Sequence, residues 1–333
     1  MQYELDELEF DPAVPRWLAE AFEVRRANFD NRISFYAPTI KSYETDELNN
    51  CGSCSFRPVS VTGPACALQC DHCKAQVLRS MASATTPDRL WALARGYALE
   101  GTRGLLISGG SNLANQVALD RFFPVMQRIR TELGMKILVH VAFVDQSQAQ
   151  GLAEVGVDSV MLDVIGTDET IEDVYHLPWA STADYERTLR NLVDAGLPIS
   201  PHVVIGLHYG KILGEIRALE MLARFEEAIS SLVLVGLQPL PGTPMADCTP
   251  PSPEQMGEIF RAARVMFRRT NVLLGCERPY GDHKLRTDEL AVKAGLNGIA
   301  YPAQGIIALA HALELRIEVS GMCCSLDFQG QSA

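Results

Sequence analysis

Short apolar runs alternate with amphipathic stretches eight times along this chain, which predicts an α/β fold of the (β/α)8, TIM-barrel type with an extension at each end. The runs are nearly continuous in Val, Ile and Leu, as expected of parallel strands covered on both faces. A length of 333 residues suits one such barrel. The closing units are the shortest, so a six-strand partial barrel is the alternative.

In chain order, residues 1–55 read as an N-terminal extension, 56–316 as the barrel and 317–333 as a tail. Residues 15–28 predict a helix with Trp17, Leu18, Ala21 and Phe22 on one face, broken at Phe35-Tyr36-Ala37-Pro38. The first barrel strand is the run at 59–63. Later strands fall at 104–108, 137–141, 159–163, 202–205, 231–235, 272–274 and 298–300. Between them, Thr86-Pro87 marks a helix start, and helices are expected at 120–133, 148–155, 213–225, 287–294 and 303–313. Ser181 with Asp184 and Ser252 with Gln255 have capping-box spacing.

Bulk composition excludes some functions. The net charge of −12 argues against nucleic-acid binding, which needs a cationic face. No stretch approaches the roughly 20 apolar residues of a membrane span. The acidic N-terminus lacks signal-peptide order, so a cytoplasmic protein is expected. Nine cysteines then point to metal or redox chemistry before disulfides.

Three of them, Cys66, Cys70 and Cys73, share a C-x3-C-x2-C spacing just after the first barrel strand. Three thiolates fall one short of a structural zinc site. They can hold three irons of a 4Fe–4S cluster, which takes one cysteine per iron, leaving the fourth open to a small molecule. Three buried or zinc-binding cysteines in one loop is the competing reading. The spacing resembles that of the radical S-adenosylmethionine (SAM) enzymes. That resemblance implies SAM chelated to the open iron and cleaved to a 5′-deoxyadenosyl radical, which takes hydrogen from carbon. It also implies that the ring of His72 packs near the adenine. Ser108, Gly109 and Gly110 match the glycine motif that holds SAM, with Ser111 where that family commonly has an acid.

His140, Asp163 and His202 each interrupt an apolar run near a strand end. Such interruptions point towards a pocket or a satisfied core hydrogen bond. Asp163 and His202 are candidate SAM contacts. The segment Pro239-Leu240-Pro241-Gly242-Thr243-Pro244 resembles a loop of the biotin-synthase-like branch that lies beside the bound nucleoside.

A second thiol set flanks the barrel, with Cys51 and Cys54 before it and Cys323 and Cys324 after it. Barrel closure can bring these ends together around a second cluster or a zinc ion. Adjacent residues of an extended chain face opposite ways, so one tail cysteine can be left out and Ser325 can serve as the labile fourth ligand. Cys248 and Cys276 have no local partner and read as buried apolar residues. The whole pattern resembles lipoyl synthases of the two-component, biotin-synthase-like type. The resemblance implies two 4Fe–4S clusters, one binding SAM and one donating sulfur. It further implies an octanoylated lipoyl-carrier protein or domain as substrate, a sister radical SAM subunit, and a reductant such as ferredoxin or flavodoxin. Biotin synthesis or metal-cofactor maturation is the alternative reaction, and a non-enzymatic Fe–S carrier is an alternative of another class.

Overall fold

The computed structural model describes residues 13–50 and 55–326. Among these, eleven strands form one sheet in which every pairing is parallel. The strands are β1 (Arg32–Tyr36), β2 (Phe56–Ser60), β3 (Ala82–Ser83), β4 (Gly104–Ser108), β5 (Lys136–Val141) and β6 (Ser159–Asp163). They continue as β7 (Ile199–Ile205), β8 (Ser231–Gly236), β9 (Asn271–Leu274), β10 (Gly298–Ala300) and β11 (Arg316–Ser320). The ten helices are α1 (Ala19–Asn28), α2 (Pro87–Leu99), α3 (Phe123–Leu133), α4 (Gln146–Val155), α5 (Asp168–Tyr175), α6 (Thr182–Asp194), α7 (Glu215–Ala223), α8 (Pro253–Met266), α9 (Asp282–Lys293) and α10 (Ile306–Ala312).

All eight expected barrel strands form, and the TIM-type fold is open. The sheet runs β11-β1-β10-β9-β8-β7-β6-β5-β4-β2-β3, with no ladder joining its two ends. Side chains stitch the gap instead. Thr39 Oγ1 donates to the Phe56 carbonyl at 2.7 Å, and Ser55 Oγ donates to the Gly321 carbonyl at 2.6 Å. Met322 and Phe56 pack over Gly104, where a Cβ would meet them at 2.8 and 3.0 Å.

The N-terminal segment departs from expectation. Residues 32–36, with Phe35 and Tyr36 read above as part of the break after a helix, form β1, a strand placed between β10 and β11. Their alternation is short, and burial of Ile33 and Phe35 against helices appears only once the sheet is assembled. The sheet therefore draws strands from both expected extensions. Helix α5 was not anticipated; its eight residues are too few for a clear 3.6-residue period. Both capping boxes form, at α6 and α8. No helix among the described residues is long and apolar enough to cross a membrane.

The barrel has two cores. Alternate residues of each strand, such as Ile107, Val139, Leu162 and Val203, pack outwards with the helices in one large buried cluster. The inward residues Leu138, Met161, Val233 and Leu273 form a second cluster with Tyr36, Phe56, Tyr301, Met322, Cys323, Cys324 and Leu326. The C-terminal tail thus folds into the lumen. At the strand starts, Ser159 Oγ donates to Ser200 Oγ at 2.9 Å, and Ser200 Oγ lies 3.0 Å from Ser231 Oγ and 3.3 Å from the Ser325 carbonyl.

Candidate active site

The Cys66–Cys73 loop leaves β2 at the C-terminal ends of the strands, where barrels of this kind keep their chemistry. Three non-glycine residues, Gln69, Lys74 and Ala75, have left-handed φ of 48°, 44° and 59°. Such conformations cost energy and persist only where the surroundings hold them. The holding contacts are specific. Ala67 N–H donates to the Ser111 carbonyl at 2.8 Å, and Asp71 N–H to the Val174 carbonyl at 2.9 Å. The Asp71 carboxylate accepts from Tyr209 Oη at 2.7 Å, bonds His176 Nε2 at 2.9 Å and pairs with Lys74 at 2.9 Å. Burial opposes ionisation of Asp71, but these bonds win and hold its pKa down at about 2.

Burial, then the neighbouring Cys73 and Cys66, push the Cys70 thiol far up; burial is also the main cause of raising Cys73 to about 11. Without a cation among them these groups stay protonated, and a metal reverses that preference. Zinc at about 2.3 Å from each sulfur needs sulfurs about 3.8 Å apart. Among the described residues, the group of three ligand-type side chains with donors all within 4.8 Å is His140, Asp163 and His202, not these cysteines. Three thiolates suit separate irons of a cluster, one to each.

The glycine motif presses against this loop. A Cβ on Gly110 would lie 2.1 Å from the Ala65 carbonyl oxygen and 2.5 Å from Cys66 Cα, so no larger residue fits. Gly110 N–H donates to Thr62 Oγ1 at 2.7 Å, and Ser108 Oγ donates to the His140 carbonyl at 3.0 Å. The motif's glycines are therefore required first by close packing of two loops. Gly109 is likewise tight against Thr62, at 3.1 Å.

The strand-end polar residues meet in the lumen. Asp163 and His202 are register partners on β6 and β7. His140 Nε2 lies 3.8 Å from Asp163 Oδ1, and the His140 and His202 rings are 5.6 Å apart. Burial, then His140, lower the His202 pKa to about 4, so it is neutral at pH 7. Asp163 is felt electrostatically by His72, Cys73 and Tyr175, which places it facing the cysteine loop. Around it, His72 Nδ1, Tyr175 Oη and His202 Nδ1 are buried without a hydrogen-bond partner. Buried polar atoms are ordinarily satisfied, so orphans grouped beside the three-thiol loop fit a site shaped for a polar ligand. The His72 ring rests 5.3 Å from that of Tyr175.

The proline-rich loop after β8 joins the same site: Gln76 Nε2 donates to the Pro241 carbonyl at 2.9 Å, and Gln238 Oε1 is a further buried orphan. Sequence reading missed Asp71, Tyr175, His176 and Tyr209. Only Asp71 carried a signal, as a charged residue inside the cysteine motif.

The second thiol set is partly visible. Cys51 and Cys54 lie outside the described residues, and the seven described cysteines are all free. Cys323 and Cys324 are buried together, with Ser325 beside them. Cys276, read above as a buried apolar residue with no local partner, packs against the lumen cluster that holds Cys323 and Cys324, because the tail enters the lumen past the end of β9.

An open parallel barrel, a three-thiol loop at its mouth and a glycine motif locked against that loop define a protein class. Residues 60–238 match the family model of the radical SAM superfamily, and the chain belongs to that superfamily. Its relatives include biotin synthase of Polaromonas naphthalenivorans, 26% identical over 85% of this chain and 76% of that protein. Another is biotin synthase of Acidithiobacillus ferrooxidans, 23% identical over 72% and 76%. Among solved structures, the [FeFe]-hydrogenase maturase HydG superposes with a TM-score of 0.63 at 15% identity, covering 94% of this chain and 70% of that one. Methylornithine synthase PylB gives 0.57 at 16%, covering 88% and 79%. These structural likenesses speak to the fold.

Proposed function

We propose that this radical SAM enzyme inserts sulfur into an unactivated C–H bond of a protein-bound octanoyl chain, as one component of a two-protein lipoyl synthase. The observation that carries the reading is the thiol-bearing tail inside the same barrel that holds the Cys66–Cys73 loop. A 4Fe–4S cluster with SAM supplies, once reduced, a carbon-centred radical able to remove hydrogen from an alkyl chain. A second cluster supplies sulfide sulfur.

This chain's residues would do the rest. Cys66, Cys70 and Cys73 hold the first cluster, and Asp71 fixes their loop. His72, Ser108, Gly109, Gly110, Asp163 and His202 receive SAM, the buried His72 Nδ1 and His202 Nδ1 supplying free polar atoms. Cys323, Cys324 and Ser325, with Cys51 and Cys54, hold the donor cluster. The apolar side chains of the lumen exclude water from chemistry at its mouth. Exposed apolar residues on the strand-to-helix side, among them Val77, Leu113, Ile212, Leu213 and Tyr280, suit docking of a carrier domain or sister subunit. Free thiols suit a cytoplasmic setting with a ferredoxin or flavodoxin as reductant.

The test is anaerobic turnover with an octanoylated lipoyl-carrier domain, SAM and dithionite, with and without the sister subunit. Mass spectrometry should find sulfur on the carrier and 5′-deoxyadenosine in solution. Deoxyadenosine release with no sulfur gained on any octanoylated carrier would remove the reading.

The second reading, a biotin-type sulfur insertion, is favoured by the named relatives, which are biotin synthases. Sulfur gained by a free biotin precursor in the same assay would select it.

A further inference from the structure

Cys276 belongs to no motif in the sequence, yet the fold fixes it with care. It follows Gly275 at the end of β9. Gly275 N–H donates to the Leu234 carbonyl at 2.7 Å, and a Cβ there would strike Val233 and Val235 at 2.9 Å. Arg278, wholly buried, donates to the Gly275 carbonyl at 2.8 Å and to the Tyr301 carbonyl at 3.1 Å. Its guanidinium is held by both carboxylate oxygens of the equally buried Asp288, at 2.5 and 2.8 Å. The bend carrying Cys276 is thus clamped by a fork-on-fork ion pair.

The tail meets it from the other side. Met322 N–H donates to Ser320 Oγ at 3.1 Å, and Leu326 N–H donates to the Cys323 carbonyl at 3.0 Å. Cys323 to Leu326 is therefore a hydrogen-bonded turn and not extended chain. In a turn adjacent side chains need not diverge, which removes the ground for leaving one tail cysteine out. Cys323 and Cys324 both lie in the lumen cluster, and Cys276 packs against that same cluster. Tyr301 belongs to the same cluster, beside the tail cysteines. Ser325 Oγ lies against Cys323 but is buried with no partner of good geometry. Lys41 Nζ donates to the Cys276 carbonyl at 3.0 Å, pairs with Glu277 at 2.9 Å and sits 4.6 Å from the Tyr301 ring centre. Cys248, by contrast, has Asp247 and Tyr209 as its charged and polar company and no thiol.

We propose that Cys276 is a thiolate ligand of the second iron–sulfur cluster, which it holds with Cys323, Cys324 and the Ser325 hydroxyl inside the barrel lumen. Three thiolates and one oxygen complete a four-iron cluster, with the oxygen as its weakest bond. Cys51 and Cys54 are not needed as ligands on this arrangement, which revises the donor set given above. The inference rests on the existence of a second cluster, but not on sulfur transfer, and its test measures metal and not product.

The experiment starts from the full chain carrying Cys66→Ala, Cys70→Ala and Cys73→Ala, so that only the second site can load. After anaerobic reconstitution it should hold about four irons and four sulfides per chain, with the visible absorption of a cluster. Adding Cys276→Ala should at least halve both counts, while adding Cys51→Ala with Cys54→Ala, or Cys248→Ala alone, should leave them unchanged. Thermal melting by circular dichroism separates ligand loss from misfolding. If Cys276→Ala melts early, Cys276→Ser, of nearly equal volume, should fold and show an altered electron-paramagnetic signal on reduction. Full iron retained by Cys276→Ala, loss of iron with Cys51 and Cys54 instead, zinc in place of iron, or a disulfide at Cys276 would each overturn the proposal.

Discussion

Cys66, Cys70 and Cys73 come from one loop, whereas Cys276 and the Cys323–Cys324 pair come from the end of β9 and from beyond β11. The first group is strained locally and tied down by neighbours: three left-handed residues held by Asp71 and by the close approach of Gly110. The second has no local order of its own and depends on the tail entering the lumen, held by Ser55, Ser200 and the Arg278–Asp288 clamp. A site built on one loop can be altered without unfolding the barrel. A site built from distant segments shares its stability with the closure of the barrel.

The comparison can be broken most sharply at the loop. Replacing any one of Cys66, Cys70 or Cys73 by alanine should abolish SAM cleavage, with the thermal midpoint least changed for Cys73→Ala and most for Cys70→Ala, since Cys70 is buried in the main core cluster. Deoxyadenosine release and calorimetry on the same preparation check both halves. Gly110→Ala should come next. Its methyl overlaps the backbone of Ala65 and Cys66, so we expect about 1–3 kcal/mol of destabilisation together with more than tenfold slower SAM cleavage. Wild-type stability and rate would refute the packing role assigned to that glycine.

The clamp under the second site gives a prediction of opposite character. Asp288→Asn leaves the buried Arg278 charge unpaired and should cost about 3–5 kcal/mol. If the proposed second cluster forms, it should lose iron more than the first does. Equal loss at both sites would show that the two are not separable in stability. Asp71→Asn should cost less, about 1–3 kcal/mol, since the Tyr209 and His176 bonds weaken but the amide still accepts one. Its clearest readout is a raised Kd for SAM.

The smallest effect concerns pH. His202 has a native pKa of about 4, below the ordinary value of 6.5. Between these values the unfolded chain binds the proton and the native chain does not. The apo protein should therefore lose stability as pH falls from about 6.5 towards 4, by at most about 1.4 kcal/mol per pH unit from this group. His202→Asn should flatten that limb relative to wild type in urea denaturation. An unchanged slope would mean that His202 is not held neutral by burial.

The periodic pattern was sufficient for the eight barrel strands, because continuous apolar runs report burial on both faces wherever the partner strands lie. It was insufficient for β1, whose five residues carry too little pattern, and for the openness of the sheet. Closure depends on whether the segments around Thr39, Ser55 and Gly321 offer ladder bonds or side-chain bonds, and no local residue choice decides that.

The same division runs through the chemistry. Spacing alone placed three thiols on one loop, since all three fall within eight residues between one apolar run and the next helix start. The glycine at 110 was legible, but its reason was not; the sequence suggested a ligand contact, and the structure shows a backbone approach that leaves no room for a Cβ. Residue types and short-range spacing determined the radical SAM loop and the alternating barrel, because both are set by interactions a few residues apart. Only the tertiary structure decided that Cys276 meets the tail and that Asp163 faces the cysteine loop, because those neighbours are brought together by strand order and by the course of the tail through the lumen.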